Sequence, residues 1–395
     1  MPIKIKLAQS SREIDDALWL RHEVFVIEDG KFGGKPLHGQ RMVDRFDAFP
    51  GVFHVIAYEL EEPVATMRLL KDSHAGLPAE EMFDFSRYRD EARRETPAAA
   101  FGSAGMLAIR GAWRRRRDVI RAVFRMAATV CRNQGATHIL MAVNHETVGM
   151  YERLGFQPLS GKIWNEEVGN HIIPLGGTTK QFTDWAFEGQ PDTPLSAFQD
   201  SFERMVLRAG EPVFDEGSRG EHAYVVESGG VRITRKAPSG ETLTLANLAR
   251  GALFGELALL DDQPRSAGAQ SVTDSELMTL DRRRFREQLH SHPDRAASVF
   301  RMFSARMRSM DELALVLAFS GPAQRLEFAL EVARQQAVPD RSDAAVVVFQ
   351  GGSVELGRMA AVSEQEAQRF LEGLAAAGAL VITPRHLRFR ARVPQ

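Results

Sequence analysis

Two charged side chains, Glu256 and Arg265, stand out in the run FGELALLDDQPRSA. A carboxylate at Glu256 lies in the apolar part of this run, where it needs a polar partner to be stable. Arg265 follows a proline and precedes Ser266, and these two side chains together are suited to binding an anion. A cyclic nucleotide supplies both partners, because its ribose 2′-hydroxyl can donate to Glu256. Its phosphate can then bind Arg265, Ser266 and the amides of a short helix predicted to open at Gly255.

The order of residues in this run resembles the phosphate-binding cassette of cyclic-nucleotide-binding domains, and the resemblance covers residues 195–319. It implies that the ligand is contacted by Phe254, Gly255, Glu256, Leu257, Ala258, Arg265 and Ser266. Serine after the arginine is similar to the bacterial catabolite activator proteins, which implies cyclic AMP as the regulator. The two adenine-contacting residues of that family correspond to Met310 and Asp311. Asp311 can accept from an exocyclic amine of adenine or guanine, so cyclic GMP stays open.

A second informative stretch is NHETVGMYERLGF, which begins at Asn144. Its pattern predicts that Asn144 caps a helix and that Tyr151, seven residues later, lies on the same helical face. Gly155 is predicted to end this helix. The stretch resembles the signature of the GNAT acyltransferases, and the similarity covers nearly all of residues 1–187. The resemblance implies acyl transfer from a thioester to an amine, with Tyr151 protonating the leaving thiolate. Simple packing of Tyr151 in the core is the alternative.

The same resemblance implies where the thioester donor binds. Backbone amides of a splayed strand would hold the pantetheine arm, and the matching segment contains Met106, Leu107 and Ile109. The next turn leads into a helix whose N-terminal amides would hold the pyrophosphate, with cations at Arg114, Arg115 and Arg117. Asn144 is also expected to contact the donor. This turn reads WRRRRDVI and lacks the glycines of the family. Side-chain cations therefore replace the close backbone contact, or the donor is an acyl carrier protein rather than acyl-coenzyme A.

A narrower resemblance concerns the acceptor. The segments DRFD, from Asp44 to Asp47, and LPAEEMF, together with Arg68, are similar to the N-acyl amino acid synthases and the related acyl-homoserine lactone synthases. That similarity implies that Asp44, Asp47 and Arg68 form a polar wall near a small-molecule amine, most simply an amino acid. The amine must lose a proton before it attacks. Asp44, Asp47 and His145 are the candidate bases.

Composition limits the remaining possibilities. A length of 395 residues predicts two or three domains at roughly 150 residues each. The net charge of −2 disfavours a strongly basic nucleic-acid binder. The single cysteine, Cys131, excludes an internal disulfide and a cysteine-based zinc site, so no metal is expected. With no apolar signal segment and no run long enough to span a membrane, we expect a cytoplasmic protein.

The elements that must position these residues divide the chain into three. An α/β GNAT-like domain is expected over residues 1–187, with a hairpin at 52–70 and a helix at Val119–Cys131. A Pro- and Gly-rich linker follows at 188–194. Turn glycines then predict a β-roll cyclic-nucleotide-binding domain over 195–319 that ends in a long helix, Pro293–Phe319. Residues 320–395 are expected to form a small winged-helix-like domain. The turn glycines are Gly210, Gly217, Gly229, Gly240 and Gly251.

The long helix and the last domain raise the question of partners. Apolar residues recur along the helix at Phe300, Met307, Met310 and Leu317, which predicts a homodimer seam; packing on the chain's own roll is the alternative. The helix that begins at Ser363 corresponds to the DNA-reading helix of the catabolite activators. Its first turn is acidic, which opposes approach to phosphates, so DNA binding is not expected.

These observations favour a GNAT-type N-acyltransferase that is regulated by cyclic nucleotide and acts on an amine, most simply an amino acid. Two alternatives remain. One is a cyclic-AMP-regulated protein lysine acetyltransferase that uses acetyl-coenzyme A. The other is a cyclic-nucleotide-responsive DNA-binding regulator of transcription.

Overall fold

The computed structural model describes residues 1–34, 38–187, 203–291, 293–340, 343, 345–383 and 386–390. They form two units, one made of residues up to 187 with 203–206, the other of residues from 207 onward. The predicted linker at 188–194 and the start of the predicted roll at 195–202 lie outside the described residues. No helix in the described ranges is long and apolar enough to cross a membrane.

The first unit is a mixed sheet covered by helices. Its strands run in the order β9-β1-β2-β3-β4-β5-β8-β6, with β7 paired to β8, and all neighbours are antiparallel except β4 and β5. The strands are β1 Ile3–Leu7, β2 Val52–Glu59, β3 Glu62–Lys71, β4 Phe101–Ile109, β5 His138–Asn144, β6 Gln157–Pro158, β7 Ile163–Asn165, β8 Asn170–Thr178 and β9 Glu203–Leu207. The helices are α1 Ser11–Arg21, α2 Ser86–Glu95, α3 Arg117–Asn133, α4 Val148–Glu152 and α5 Thr179–Ala186. The predicted hairpin is therefore confirmed as β2 and β3.

Strand β4 separates from β5 soon after both begin. The two strands pair only at Phe101 and Gly102 of β4. Farther along, β4 bulges against β3 near Met106, whose φ is 50°. Because a bulge bends its strand, the segment from Gly105 to Leu107 is partly exposed between buried neighbours. This is the segment that the sequence assigns to the thioester donor.

Helix α3 forms because its apolar residues recur at helical spacing and meet the sheet. It extends the predicted helix Val119–Cys131 by two residues at each end. Asp118 in the first turn favours the helix N-terminus, and Gly135, with a φ of 72°, lies just beyond its end. Cys131 is 6% exposed in the apolar core, and burial raises the pKa of its thiol to about 12.

The expected helix from Asn144 to Tyr151 is confirmed only in part, because the segment is not one regular α-helix. Asn144 is the last residue of β5, a 3-10 turn follows at His145–Thr147, and only then does α4 begin. The Asn144 side chain makes no capping hydrogen bond; its backbone carbonyl instead accepts from the Thr147 hydroxyl at 2.8 Å. A local side-chain bond of this kind favours a tight turn over a regular helix start. The seven-residue spacing from Asn144 to Tyr151 therefore crosses a 3-10 turn and is not the spacing of one regular α-helix.

The second unit begins with a β-roll of two sheets. One sheet has the order β10-β15-β12-β13, and strands β14, β11 and β16 pair in the other. The strands are β10 Pro212–Phe214, β11 His222–Ser228, β12 Val231–Lys236, β13 Thr242–Leu248, β14 Leu253–Phe254, β15 Gly268–Ser271 and β16 Ser275–Asp281. All five predicted turn glycines have positive φ, between 78° and 97°, where only glycine is unstrained. The turn prediction is confirmed.

Three helices surround the predicted nucleotide site: α6 Leu257–Leu260, α7 Arg282–Ser291 and α8 Pro293–Phe319. Helix α8 has the predicted bounds. Helix α6, however, begins at Leu257 and not at Gly255, because Gly255 has a φ of 73° and cannot continue into a right-handed helix. The opening of the cassette is thus a left-handed turn followed by a single short helix.

The chain ends in three helices and a small antiparallel sheet with the order β17-β18-β20-β19. The helices are α9 Pro322–Gln335, α10 Ser353–Ala360 and α11 Glu364–Ala376, and the strands are β17 Val338–Pro339, β18 Val346–Phe349, β19 Val381–Thr383 and β20 His386–Arg390. Ser363 caps α11 through a reciprocal pair of bonds with Glu366. A separate apolar core holds these elements together. The winged-helix assignment remains a prediction.

Candidate functional sites

Arg265 is turned into the β-roll. Its two terminal nitrogens donate to the carbonyl oxygens of Gly255 and His222, the second at 2.6 Å. Its guanidinium carbon lies 4.1 Å from the ring centroid of Phe214, and the residue is 5% exposed. Its Nε is buried and finds no hydrogen-bond partner among the described residues. Such a donor costs free energy, and an anion bound at this point would recover it.

Two glycines make this position of Arg265 possible. A Cβ atom at Gly220 would lie 2.7 Å from Cζ of Arg265, and one at Gly255 would lie 2.8 Å from its Nη1. Both distances are too short for a real side chain. Glycine is therefore required at position 255 for two reasons: its φ is positive, and a side chain there would occupy the space of the Arg265 guanidinium.

Glu256 is also buried, at 1% exposure, and it is bound by helix α8. Its Oε1 accepts from Nη1 of Arg306 at 2.8 Å, and Arg306 also donates to the Leu253 carbonyl at 2.5 Å. Burial raises the pKa of Glu256, although Arg306 opposes the shift. Its Oε2 is buried without a hydrogen-bond partner in the described part of the chain. A ribose hydroxyl donating to Oε2 would satisfy this acceptor.

The other predicted cassette residues divide by exposure. Phe254 and Ala258 are buried, and the ring of Phe254 stacks on Tyr224 with centroids 5.3 Å apart. Leu257 is 48% exposed and Ser266 is exposed. Met310 and Asp311 lie exposed on α8 about one turn beyond Arg306. The structure thus brings Glu256 and Arg265 together at the roll and places the two predicted base-contacting residues on the neighbouring helix.

A buried cluster of charges lies in the first unit. Asp47 Oδ1 accepts from Nη1 of Arg21 at 2.8 Å and lies 3.0 Å from Nη1 of Arg68. The same nitrogen of Arg68 lies 2.6 Å from Asp44 Oδ1. The second terminal nitrogen of Arg21 contacts Nδ1 of His54 at 2.8 Å. All three predicted acceptor residues are therefore in one network, joined by an arginine and a histidine.

Several elements bring this network together. Arg21 is the last residue of α1, and His54 on β2 lies directly opposite Arg68 on β3. Asp44 and Asp47 stand at the start of the 3-10 turn Arg45–Ala48, where each side chain bonds a backbone amide of the turn. The capping bonds orient both carboxylates in addition to their ion pairs.

Burial and charge set the protonation of this network. Burial alone would raise the pKa of Asp47, but the guanidiniums of Arg21 and Arg68 outweigh it and lower that pKa. Burial and the nearby Arg21 lower the pKa of His54 to about 4, so its ring is neutral at pH 7 and Nδ1 accepts from Arg21. The side chains of Arg21, Asp47, His54 and Arg68 are at most 5% exposed, whereas that of Asp44 is 33% exposed. Asp44 is the member of the cluster that solvent or a ligand can reach.

The arginine-rich turn before α3 is partly neutralised by the chain itself. Arg114 lies 2.7 Å from Asp29 and 3.3 Å from Glu28. Arg116 pairs with Asp118 at 2.6 Å. The exposed Arg115 and Arg117 have no side-chain partner among the described residues. These two cations are the ones available to a phosphate or to an acidic protein surface.

Replacing Arg115 and Arg117 together by alanine is expected to weaken donor binding by about threefold to tenfold, since exposed charge contacts contribute little individually. The loss should shrink at high salt, because exposed charges are screened. Calorimetric titration with acyl-coenzyme A at two salt concentrations measures the effect, with Arg87→Ala plus Arg94→Ala as the control for lost positive charge. If both double variants bind acyl-coenzyme A with the same affinity, Arg115 and Arg117 do not contact the donor and the turn is an ordinary solvent-exposed surface.

Tyr151 is 6% exposed and lies in the main apolar core of the first unit. Its ring meets Phe124 and Phe156 edge-on, with centroids 6.2 and 6.4 Å away. Burial raises the pKa of its hydroxyl above the ordinary value near 10, so the group stays protonated. No hydrogen bond joins the hydroxyl to a described residue. Phenylalanine would fill this space equally well, and the hydroxyl of a buried tyrosine usually has a hydrogen-bond partner. A bound substrate is a candidate for that partner.

Tyr151→Phe is expected to reduce turnover by about a hundredfold or more while donor affinity stays unchanged, as for loss of a general acid. Unfolding should be little affected, since the substitution removes no hydrogen bond within the described chain. Steady-state rates and donor titration test this, with Tyr88→Phe on α2 as the matched control. An unchanged turnover number in Tyr151→Phe would contradict the general-acid role and would show that Tyr151 only packs in the core.

Sequence reasoning missed three residues of these sites: Arg21, His54 and Arg306. Arg306 had a usable signal, because it stands four residues before Met310 and therefore on the same helical face. Arg21 is a charge at the buried end of an otherwise ordinary helix, and His54 is a polar residue in an apolar strand. Both are patterns that indicate a buried polar partner without identifying it.

Two family models match the chain. Residues 16–177 match the model "N-acyl amino acid synthase FeeM", and residues 204–292 match the model of the cyclic nucleotide-binding domain. The solved structure of FeeM, an N-acyl amino acid synthase from uncultured soil microbes, aligns at 15% identity with a TM-score of 0.38, over 46% of this chain and 94% of that one. The first unit thus carries the acyltransferase family match, and the β-roll carries the nucleotide-binding one.

Curated relatives match as well. The cyclic AMP receptor protein of Thermus thermophilus is 33% identical over 199 residues, which are 50% of this chain and 88% of that protein. The CRP-like cAMP-activated global transcriptional regulator of Mycobacterium tuberculosis is 29% identical over 122 residues, 31% of this chain and 54% of that protein. The chain therefore belongs to the cyclic AMP receptor protein family, and it carries in addition, at residues 16–177, a domain that matches the N-acyl amino acid synthases.

Proposed function

We propose that this chain is an N-acyltransferase that moves an acyl group from a thioester to the amine of an amino acid, and that cyclic AMP controls its activity. The main support is the buried charge cluster around Asp47 in the FeeM-like domain, in which Asp44 is the one member that a ligand can reach. The cluster supports binding of a small polar acceptor next to an apolar interior.

In the proposed reaction, Asp44 contacts the acceptor and takes the proton that the amine must lose. Asp47 stays ionised between Arg21 and Arg68 and holds Arg68 toward Asp44. The amine nitrogen attacks the thioester carbonyl, the carbon–sulfur bond breaks, and Tyr151 donates its proton to the leaving thiolate. A GNAT-type donor site along the splayed part of β4 is part of the proposal, and it is supported by the two-residue pairing of β4 with β5.

The donor is acyl-coenzyme A or an acylated carrier protein. Arg115 and Arg117 support either, since both a nucleotide phosphate and an acidic carrier surface are attracted to exposed cations. Competition decides between them: excess free coenzyme A would inhibit transfer from a coenzyme A donor and would leave transfer from a carrier protein unaffected.

Cyclic AMP is the proposed ligand of the roll, with cyclic GMP as the alternative. The support is the family membership together with the two unsatisfied polar atoms, Nε of Arg265 and Oε2 of Glu256. To reach a cyclic phosphate, the Arg265 guanidinium would leave the carbonyls of Gly255 and His222. We further propose a homodimer through α8, because Phe300 and Met307 on this helix are 68% and 65% exposed.

The direct test is mass spectrometry of lipid extracts from bacteria that express this chain, compared with the Tyr151→Phe variant. New N-acyl amino acids in the wild type alone would support the synthase, and their masses would identify the acceptor and the acyl length together. Folded, nucleotide-binding protein with no such product would contradict the amino-acid acceptor and would direct the search to acylated protein lysines.

A second candidate is a DNA-binding regulator, because the chain covers 88% of the length of the Thermus thermophilus receptor protein. Against it, α11 begins with Glu364 and Glu366, which repel phosphates. Retention on a DNA column that falls steeply with salt would favour the regulator. Passage through the column at low salt would favour the enzyme alone.

A further inference from the structure

Two carboxylates of the chain itself occupy the turn that follows β4. Glu28 Oε2 accepts from the backbone amide of Gly111 at 2.8 Å and from Nη2 of Arg114 at 3.3 Å. The same Nη2 donates to Asp29 Oδ1 at 2.7 Å, and Nε of Arg114 donates to the Ile109 carbonyl at 3.0 Å. An amide and a guanidinium that converge on one oxygen form a binding position for an anion. Here the chain's own carboxylate fills that position.

The contact lies where water and ligands can reach it. The side chains of Arg114, Glu28 and Asp29 are 45%, 35% and 19% exposed. Ion pairs between exposed groups contribute little to stability, and salt screens them. A diphosphate or a phosphate monoester carries more charge and more acceptor oxygens than a carboxylate, so it binds the same amide and guanidinium more strongly. The two carboxylates are therefore competitors that a phosphate can displace.

The carboxylates lie at the end of an unusual helix. Residues His22–Glu28 form a π-helix that continues directly from α1, and the amide of Asp29 donates to the Val24 carbonyl, five residues earlier, at 2.9 Å. Helices of this kind are rare and are frequent at functional sites. The buried Val24 belongs to the same apolar cluster as Ala108 of β4. A change from π to α bonding would rotate the last residues about the helix axis and would withdraw Glu28 from the turn.

The other end of this π-helix is fixed. Arg21, the last residue of α1, is buried and is bonded to Asp47 and His54 in the acceptor cluster. The π-helix follows Arg21 without a break. Because its first end is held by buried charges and its last end by exposed ones, the end that carries Glu28 is the one that a ligand can move.

We propose that Glu28 and Asp29 are specificity-determining residues of the donor site, which compete with a donor phosphate for Gly111 and Arg114 and leave these groups when the donor binds. The inference rests on the proposed function, since it requires the thioester donor to reach this turn. The competition gives selectivity, because a metabolite with a single carboxylate gains nothing by replacing the carboxylates already there. A donor with several phosphate oxygens does gain.

The test compares the double variant Glu28→Gln, Asp29→Asn with Glu166→Gln, Glu167→Gln, which alters two exposed acidic residues on the turn between β7 and β8. Both full-length variants lose two negative charges. Calorimetric titration with coenzyme A and with 4′-phosphopantetheine measures affinity. In the first variant we expect the dissociation constant for coenzyme A to fall by about threefold to tenfold, since exposed internal ion pairs no longer compete. The control should match the wild type.

Amide hydrogen exchange gives a second readout, which follows the movement itself. Coenzyme A should speed exchange in residues 22–29 of the wild type, because the phosphate separates the carboxylates from the turn. It should change this exchange much less in the variant Glu28→Gln, Asp29→Asn, in which the contact is already weakened. Slower exchange of this segment in the wild type on binding would contradict displacement.

The affinities separate the remaining outcomes. Equal affinity in the two double variants, or weaker binding in the first, would overturn the competition. A gain for coenzyme A alone would assign the position to its nucleotide diphosphate, whereas a gain for both probes would assign it to the phosphate beside pantetheine that carrier proteins share. If no variant binds either probe, this inference fails, while N-acyl amino acids in the lipid extracts would still support the enzyme. Should the double variant not fold, Glu28→Gln alone keeps the side-chain size and should give a gain of about twofold.

Discussion

Arg265→Ala is expected to abolish cyclic AMP binding at concentrations that saturate the wild type. Truncating one partner of a buried, hydrogen-bonded charge pair costs about 2–5 kcal/mol, a loss of about thirtyfold to several thousandfold in affinity. The guanidinium of Arg265 is the cation that the cassette pattern assigns to the phosphate, and it is already desolvated against Phe214 and bound to two carbonyl oxygens. Isothermal titration calorimetry of the purified chain measures the change.

The control is Arg283→Ala, which removes an exposed arginine of α7 and should leave affinity unchanged. Near-ultraviolet circular dichroism checks that the roll remains folded, because Arg265 also packs on its aromatic rings. Affinity in folded Arg265→Ala equal to that of the wild type would remove the assignment of this arginine to the phosphate, and with it the proposed nucleotide site.

Asp47→Asn is expected to have the second large effect, on both stability and activity. The substitution leaves the buried guanidiniums of Arg21 and Arg68 facing an amide, and breaking a buried ion pair in this way costs about 3–5 kcal/mol. Transfer activity should fall with it, because Arg68 loses a partner that holds it beside Asp44. The four tryptophans of the chain are Trp19, Trp113, Trp164 and Trp185, all in the first unit. Their fluorescence in urea therefore follows the unfolding of that unit within the full chain.

The same substitution has a signature in pH. The pKa of Asp47 is lowered in the folded state, so the stability it contributes is present above its unfolded value of about 4 and is lost as the pH falls below it. Asp47→Asn should remove this part of the acid dependence. Asp90→Asn, at an exposed aspartate of α2, is the matched control and should change stability by less than about 0.5 kcal/mol. A fully stable Asp47→Asn protein with unchanged acid dependence would contradict the role given to the cluster.

The sequence predicted well wherever a short segment carries its own physical signal. The turn glycines of the roll, Gly210 to Gly251, are readable because only glycine tolerates the positive φ that each turn requires. The bounds of α8 follow from a starting proline and an uninterrupted helical stretch. The difference at Asn144 also arises from a local signal, because asparagine is favoured both at helix N-caps and in tight turns. In the structure the Thr147 hydroxyl donates to the backbone carbonyl of Asn144, and the Asn144 side chain makes no capping bond.

The sequence by itself also identified the charged side chains that need a partner in the folded protein. They are the carboxylate of Glu256, the guanidinium of Arg265 and the two aspartates of the DRFD segment. Their partners were decided by the tertiary structure alone. Arg306 reaches Glu256 across 50 residues, His54 meets Arg21 across 33, and Arg232 meets Glu355 across 123. A charged residue in an apolar segment indicates that it has a polar partner in the folded protein. Strand order and helix packing determine which residue that partner is, because segments far apart in sequence come into contact only when the chain folds.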